Sequence, residues 1–401
     1  MSAADPRRIA TTLALLGALA ALTFAIAFYR ATDWTAQFPR DATTLAAGRD
    51  FLNFWMAGRA AHAPDPGRYY DVATYNRALA ETVGPGYPPQ TWSYPPTQLL
   101  IAAPFGLLPY RLALTLWTLL GATTLFVAAR QILRDNRAAL FVFAAPAALF
   151  ALMSGQSSFF TTALLIGGFA LLEKRPVIAG LLFGLLSLKP QVALLLPVLL
   201  IAGRHWRTLA SAAATSLILV GATIALYGVA VWRDYIAFGL PAQNAVLVHT
   251  EILATETMPT VFMNLHRLGL GYGAAMAVQV VFALAAAICI YRTWRRPGDP
   301  TLKTTLFLAA STAATPYLMP YDTLPLALAV LWLLGRKFVD GRGDLIIKLV
   351  WWLPFLQMAL GHISIPGPAL IAPAMVLWVM LRPDPRNAND RGVLAATSAQ
   401  V

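Results

Sequence analysis

The chain is poor in charge and nearly free of cysteine. Of its 401 residues only 12% are Asp, Glu, Lys or Arg, while 58% are hydrophobic and the mean hydropathy is +0.62. Soluble globular chains carry about a quarter charged residues. This shortage excludes an ordinary soluble domain and indicates an integral membrane protein with several apolar spans. The single cysteine, Cys289, lies within an apolar run. It excludes an intrachain disulfide and a cysteine-based metal site, and reads as a small packed apolar residue. The five histidines, at 62, 205, 249, 266 and 362, show no ligand spacing. Also missing are an Asp-x-Asp pair of the kind that chelates a nucleotide-sugar metal, a Gly-rich phosphate loop and a Gly-x-Ser-x-Gly elbow. Acidic residues are the scarcer sign, 18 against 30 basic. The excess positive charge forms no continuous stripe, so no nucleic-acid partner is expected.

What is present is a series of apolar runs, near 9–29, 97–129, 138–153, 156–172, 176–187, 191–203, 208–232, 273–291, 302–316, 321–335, 344–361 and 367–381. Several fall short of the roughly 20 residues that a full span needs, so the expectation is ten to twelve membrane segments, some half-length or broken by proline. Pro104 and Pro109 divide the 97–129 run into a short helix, a turn and a longer helix. Arg7-Arg8 and the apolar stretch after them could pass for a signal peptide. That stretch is longer than the usual signal core, and it reads as an uncleaved first span.

Basic clusters recur between the runs: Arg130, Arg134 and Arg137; Lys174 and Arg175; Arg204 and Arg207; Arg292, Arg295 and Arg296; Arg336, Lys337 and Arg342; Arg382 and Arg386. Alternation from a cytoplasmic N-terminus puts all of them inside, the pattern that orients polytopic proteins. A single domain over 1–381 is expected, with a polar, disordered cytoplasmic tail over 382–401. The opposite face carries a loop over 31–96 that is nearly charge-balanced and rich in Trp, Tyr, Pro and Gly, and a second over 233–272. Its shorter tips include Ser154-Gly155-Gln156-Ser157, Ser187 to Gln191, Pro316 to Asp322 and Gly361-His362-Ile363. Function is expected on that non-cytoplasmic face.

Asp50 opens the segment Asp50-Phe51-Leu52-Asn53-Phe54-Trp55, whose apolar residues share one helical face, suggesting a helix lying in the membrane interface. The carboxylate is either a base held beside the bilayer or a residue that caps this helix. Lys189 sits at the tip of a hairpin with arms of about 12 residues, or roughly 18 Å. That is too short to clear a hydrocarbon core of about 30 Å, so the ammonium requires a partner or snorkels to the interface. A phosphate on a lipid carrier is one such partner. Tyr321-Asp322 lies between Pro320 and Pro325. Asp322 can orient substrate, pair with Lys189, act as an alternative base or serve a structural turn. Gln156 binds a sugar hydroxyl or caps a helix, and Tyr94-Pro95-Pro96 stiffens an interfacial loop.

The runs Arg49-Asp50-Phe51 and Asn53-Phe54-Trp55, then Tyr69-Tyr70-Asp71, Tyr94-Pro95-Pro96, Ser154-Gly155-Gln156 and Ala179 through Lys189-Pro190 to Arg207 resemble glycosyltransferase family 87. These are polytopic enzymes of the GT-C fold class, similar to bacterial polyprenyl-phosphate-mannose-dependent alpha-mannosyltransferases. The resemblance covers about 45–335. It implies an all-α membrane bundle in the bacterial inner membrane, a polyprenyl-phosphate sugar donor, a lipid or glycan acceptor and an aspartate base at Asp50. Some members show Trp-Asp-His-His near the later hairpin. This chain has Tyr321-Asp322-Thr323-Leu324, keeping the aspartate without the histidines.

The expected chemistry is inverting transfer of a hexose, mannose by resemblance, without a metal or other cofactor. Asp50 would take the acceptor proton. Lys189, assisted by Arg49 or Arg59, would balance charge on the departing phosphate. Asn53, Tyr94, Gln156, Tyr321 and Asp322 would contact sugar or carrier. The rival reading is a transporter or lipid flippase, since charged hairpin tips also build transport sites. Against it stands the lack of a convincing internal repeat.

Overall fold

The computed structural model describes residues 5–251 and 254–382, and among them regular structure is helical apart from one isolated bridge between Arg40 and Ala46. Helix α1 (Pro6–Tyr29) starts on Asp5, whose carboxylate accepts the Arg7 N–H, with Pro6 in the first turn where its missing N–H costs nothing. The long loop that follows contains α2 (Arg49–Ala60), α3 (Val72–Val83) and α4 (Gln98–Gly106). Next come α5 (Tyr110–Leu133), α6 (Asn136–Phe141), α7 (Pro146–Ser154), α8 (Ser158–Leu171), α9 (Pro176–Leu185), α10 (Leu196–Ala202) and α11 (Trp206–Tyr227). The second loop region contributes α12 (Ala230–Asp234), α13 (Leu240–Val248) and α14 (Val261–Arg267). The chain continues through α15 (Tyr272–Trp294), α16 (Pro300–Ala314), α17 (Leu324–Gly335), α18 (Gly341–His362) and α19 (Ile371–Met380).

Five of these, α1, α5, α11, α15 and α18, are each long and apolar enough to cross a bilayer. The pair α6–α7, bent by 64°, makes a sixth when taken as one span. Shorter apolar helices account for other runs read from the sequence, and the 97–129 run divides at Pro109 into α4 and α5, with Pro104 kept inside α4. The chain is an all-α polytopic membrane protein. Its core runs along α16 and α17, where Leu306–Ala310 and Leu324–Leu331 are buried at every position. By contrast α1, α11 and α15 present Leu15, Leu217 and Val281 outward, as helices facing hydrocarbon do.

Ion pairs tie together several of the loops that carry basic residues. Glu173 reaches His205 at 3.8 Å, Asp299 reaches Arg336 at 3.4 Å and Asp340 reaches Arg382 at 3.5 Å. The 31–96 loop packs against the start of α5, where the Tyr110 hydroxyl donates to the Ala47 carbonyl at 2.6 Å. The polar tail expected over 382–401 lies, beyond Arg382, outside the described residues.

Helix α2 is enclosed by protein on both faces, since Phe51 through Gly58 are all buried. Helix α4 covers the face that periodicity had left to solvent. A Cβ on Gly106 would lie 2.2 Å from the Gly58 carbonyl carbon, and one on Gly58 would lie 2.2 Å from Ala102 O. The two backbones therefore touch, which only glycine permits. Phe51, Phe54, Trp55, Tyr110 and Trp117 close the other side as one aromatic cluster.

Candidate active site

Helix α2 begins after Gly48, a left-handed residue (φ 75°) with no side-chain cap. Asp50 lies in the first turn but does not cap it. Its Oδ2 accepts instead from Gln156 Nε2 at 3.0 Å, and the Tyr321 hydroxyl bonds the same carboxylate. The capping alternative is thereby removed. Burial pushes the Asp50 pKa above the usual carboxylate value, opposed by the bonds from Gln156 and Tyr321 and by the charges of Lys189 and Arg49. The residue as a whole is only half-buried.

Gln156 reaches this position because α7 ends on Gly155 at φ 64°. Any Cβ there would sit 2.6 Å from Phe51 Cβ, so glycine lets the turn press directly onto α2. The Gln156 amide also donates to the hydroxyls of Tyr94 at 2.9 Å and Tyr321 at 3.1 Å. The Tyr94 ring packs against Phe54 and Trp92 with centroids 4.9 and 5.1 Å away, and its carbonyl accepts the Tyr70 hydroxyl at 2.8 Å. The stiff Tyr-Pro-Pro segment thus delivers a fixed phenol.

On the other side of Tyr321, Lys189 Nζ lies 2.5 Å from Asp322 Oδ1 and 4.9 Å from the Tyr321 ring centroid. Asp322 Oδ1 also accepts from Ser158 Oγ at 3.2 Å, and its Oδ2 from the Met319 N–H at 3.3 Å. Of the alternatives open to Lys189, snorkelling is excluded, because the side chain is 2% exposed. Pairing with Asp322 is what the structure shows. Tyr321 joins the two groups: its hydroxyl belongs to the Asp50 set and its ring lies beside the ammonium.

The structure therefore brings Asp50, Tyr94, Gln156, Lys189, Tyr321 and Asp322 into one cluster. It does not bring Arg59, which is exposed at the far end of α2 with its guanidinium 4.9 Å from the Trp55 ring centroid. Arg49 is committed elsewhere, its Nε and Nη2 on Asp41 Oδ2 at 3.0 and 2.5 Å, tying down the loop before α2. Asn53 is buried and accepts the Tyr75 hydroxyl, so it supports the loop. Ser158 was missed. The polar run Ser154–Ser158 in an otherwise apolar stretch is the signal that could have found it. The Gly361-His362-Ile363 tip also lies elsewhere: Gly361 packs on the Glu256 carbonyl, beside the Arg267–Glu256 pair at 3.7 Å. Among the described residues no three His, Cys, Asp or Glu side chains converge on a metal-sized site.

Chemically the cluster offers a carboxylate of raised proton affinity beside a buried cation. A family model described as glycosyltransferase family 87 matches residues 92–320. No curated protein and no solved structure matches the chain. The matched segment contains Tyr94, Gln156, Ser158 and Lys189 and stops just before Tyr321 and Asp322. Asp50 lies ahead of it, so it is geometry that joins those three residues to the rest. With more than half of its 401 residues covered, the chain belongs to glycosyltransferase family 87.

Proposed function

We propose that the protein transfers a hexose, most simply mannose, from a polyprenyl-phosphate sugar to a hydroxyl of a lipid or glycan acceptor. The observation that carries this reading is Asp50, held by Gln156 and Tyr321 next to the Lys189–Asp322 pair in a family 87 chain. The acceptor oxygen attacks the anomeric carbon while the Asp50 carboxylate takes its proton. The bond from that carbon to the phosphate oxygen breaks, and its electron pair leaves with the phosphate. One such displacement inverts the anomeric centre.

Lys189 balances the charge on the departing phosphate. An ammonium has three hydrogens, and the contact with Asp322 uses one, so Asp322 orients the cation while leaving it able to donate. The reading needs no divalent ion, because a protein cation takes that part. Tyr94 and Tyr321 would contact the sugar or its carrier.

The same reading places the site on the non-cytoplasmic face of a bacterial inner membrane, with both termini in the cytoplasm. Its support is the recurrence of basic clusters in alternate loops of the sequence. The test is incubation of the purified full chain with a panel of polyprenyl-phosphate hexoses and lipid acceptors, followed by mass analysis. A hexose-extended acceptor supports the reading. Labelled lipid moved between leaflets with no covalent product overturns it in favour of a transporter.

A further inference from the structure

Gln156 carries more contacts than a substrate-binding amide would have free. Its Oε1 accepts the backbone N–H of Ser157 at 3.1 Å. Reversing the amide would set an NH2 group against that N–H, so the backbone fixes which end is nitrogen. The nitrogen, with two hydrogens, then faces three oxygens: Asp50 Oδ2 at 3.0 Å, Tyr94 at 2.9 Å and Tyr321 at 3.1 Å. The side chain is 4% exposed. No hydrogen is left over for a sugar.

We propose that Gln156 is a positioning residue that sets the orientation and proton affinity of Asp50 and does not touch the sugar. The proposal deepens the reading above, resting on Asp50 as the base. The donated hydrogen favours the ionised carboxylate, so its loss must make Asp50 harder to deprotonate. Facing Asp50 are Arg49 beside it on α2 and Lys189 from the tip before α10. Phenols within electrostatic reach of it are Tyr317 and Tyr321 from the turn before α17, Tyr94, Tyr75 and Tyr87 from the long loop, and Tyr110 of α5, the hydroxyls of Tyr75, Tyr87 and Tyr110 being bonded to Asn53, Ala46 and Ala47. Over pH 5 to 8 ordinary phenols stay protonated, and Arg49 and Lys189 are present in wild type and variant alike. Asp322, tied to Lys189, is common to wild type and variant, so a difference between them reports on Asp50.

The experiment uses the full chain in nanodiscs with polyprenyl-phosphate mannose, or whichever hexose donor the panel identifies. Gln156→Leu should move the acid limb of the kcat/KM profile upward by about one pH unit, a loss of about tenfold below the limb. The loss should be recovered at higher pH, with the donor KM unchanged. Infrared difference spectra of the carboxyl band, assigned by subtraction of Asp50→Asn, should show the same displacement without turnover. Gln156→Glu preserves shape and guards against misfolding of the leucine variant. Its added carboxyl should displace the limb in the same direction.

A raised donor KM with an unmoved limb would make Gln156 a sugar contact and overturn the proposal while leaving Asp50 as base. An unmoved carboxyl band in both variants would overturn it as well. Full turnover in Asp50→Asn would instead overturn the underlying reading.

Discussion

The ammonium of Lys189 lies 2.5 Å from Asp322 Oδ1, and each side chain keeps only 2% of its surface exposed. The residues stand 133 positions apart, so this contact pins the α9–α10 tip to the turn before α17. Removing one partner of a buried pair strands the other charge, at a cost of about 3–5 kcal/mol. Lys189→Met and Asp322→Leu should each lower the thermal unfolding midpoint of the detergent-purified protein. The double variant should recover much of that loss and still transfer no sugar. Equal stability of single and double variants would show that the two charges are not coupled.

Asp50→Asn should lower transfer by about 10²–10⁴-fold, the usual worth of a general base, while donor binding persists. Its effect on stability has the opposite sign. A carboxyl whose folded pKa is raised, here by burial, contributes stability that is full below its unfolded pKa and lost as pH rises through the folded one. At a pH above its raised pKa the ionised side chain therefore weakens the fold, and there Asp50→Asn should melt higher than wild type. For the same reason wild-type kcat/KM should fall as pH drops through a value above the ordinary carboxylate range. Lower melting of Asp50→Asn above the pH at which wild-type activity is fully developed, or activity flat down to pH 4, would contradict this assignment.

Gly106→Ala should destabilise the fold by about 1–3 kcal/mol, the cost of overpacking, and reduce turnover. The new methyl would meet backbone at Gly58 and Arg59, which cannot swing aside, so α2 and with it Asp50 must move. Unchanged melting and activity would mean that α2 and α4 are not in contact.

Arg59→Ala should leave transfer unchanged within error. Nine residues along α2 separate Arg59 from Asp50, about 14 Å of helix rise, and its side chain lies against Trp55. Loss of turnover in a well-folded Arg59→Ala protein would return this arginine to the reaction.

Much of the scaffold was legible beforehand, because hydrophobic runs and basic clusters report directly on the bilayer. Pro109 marked the break between α4 and α5 in the same way. Isolated charges were legible too: a carboxylate at 50 and an ammonium at 189 stand out against apolar neighbours. Their partners were not, because Gln156 and Asp322 meet them across 106 and 133 residues through packing that no local pattern encodes. At α2 periodicity showed one apolar face, whereas the glycines that admit α4 to the other face carry no hydrophobic signal. Arg49 and Asn53 show the same limit. Sequence marked them as polar residues near the site, and tertiary contacts with Asp41 and Tyr75 gave them other work.

The order in which the ion pair is synthesised has a consequence for how the protein is made. Lys189 leaves the ribosome 133 residues before Asp322. At roughly 5–20 residues per second, its positive charge waits about 7–27 s for its counter-ion. Until the Tyr321-Asp322 turn is made, the nascent hairpin lacks the carboxylate that neutralises its ammonium in the finished fold.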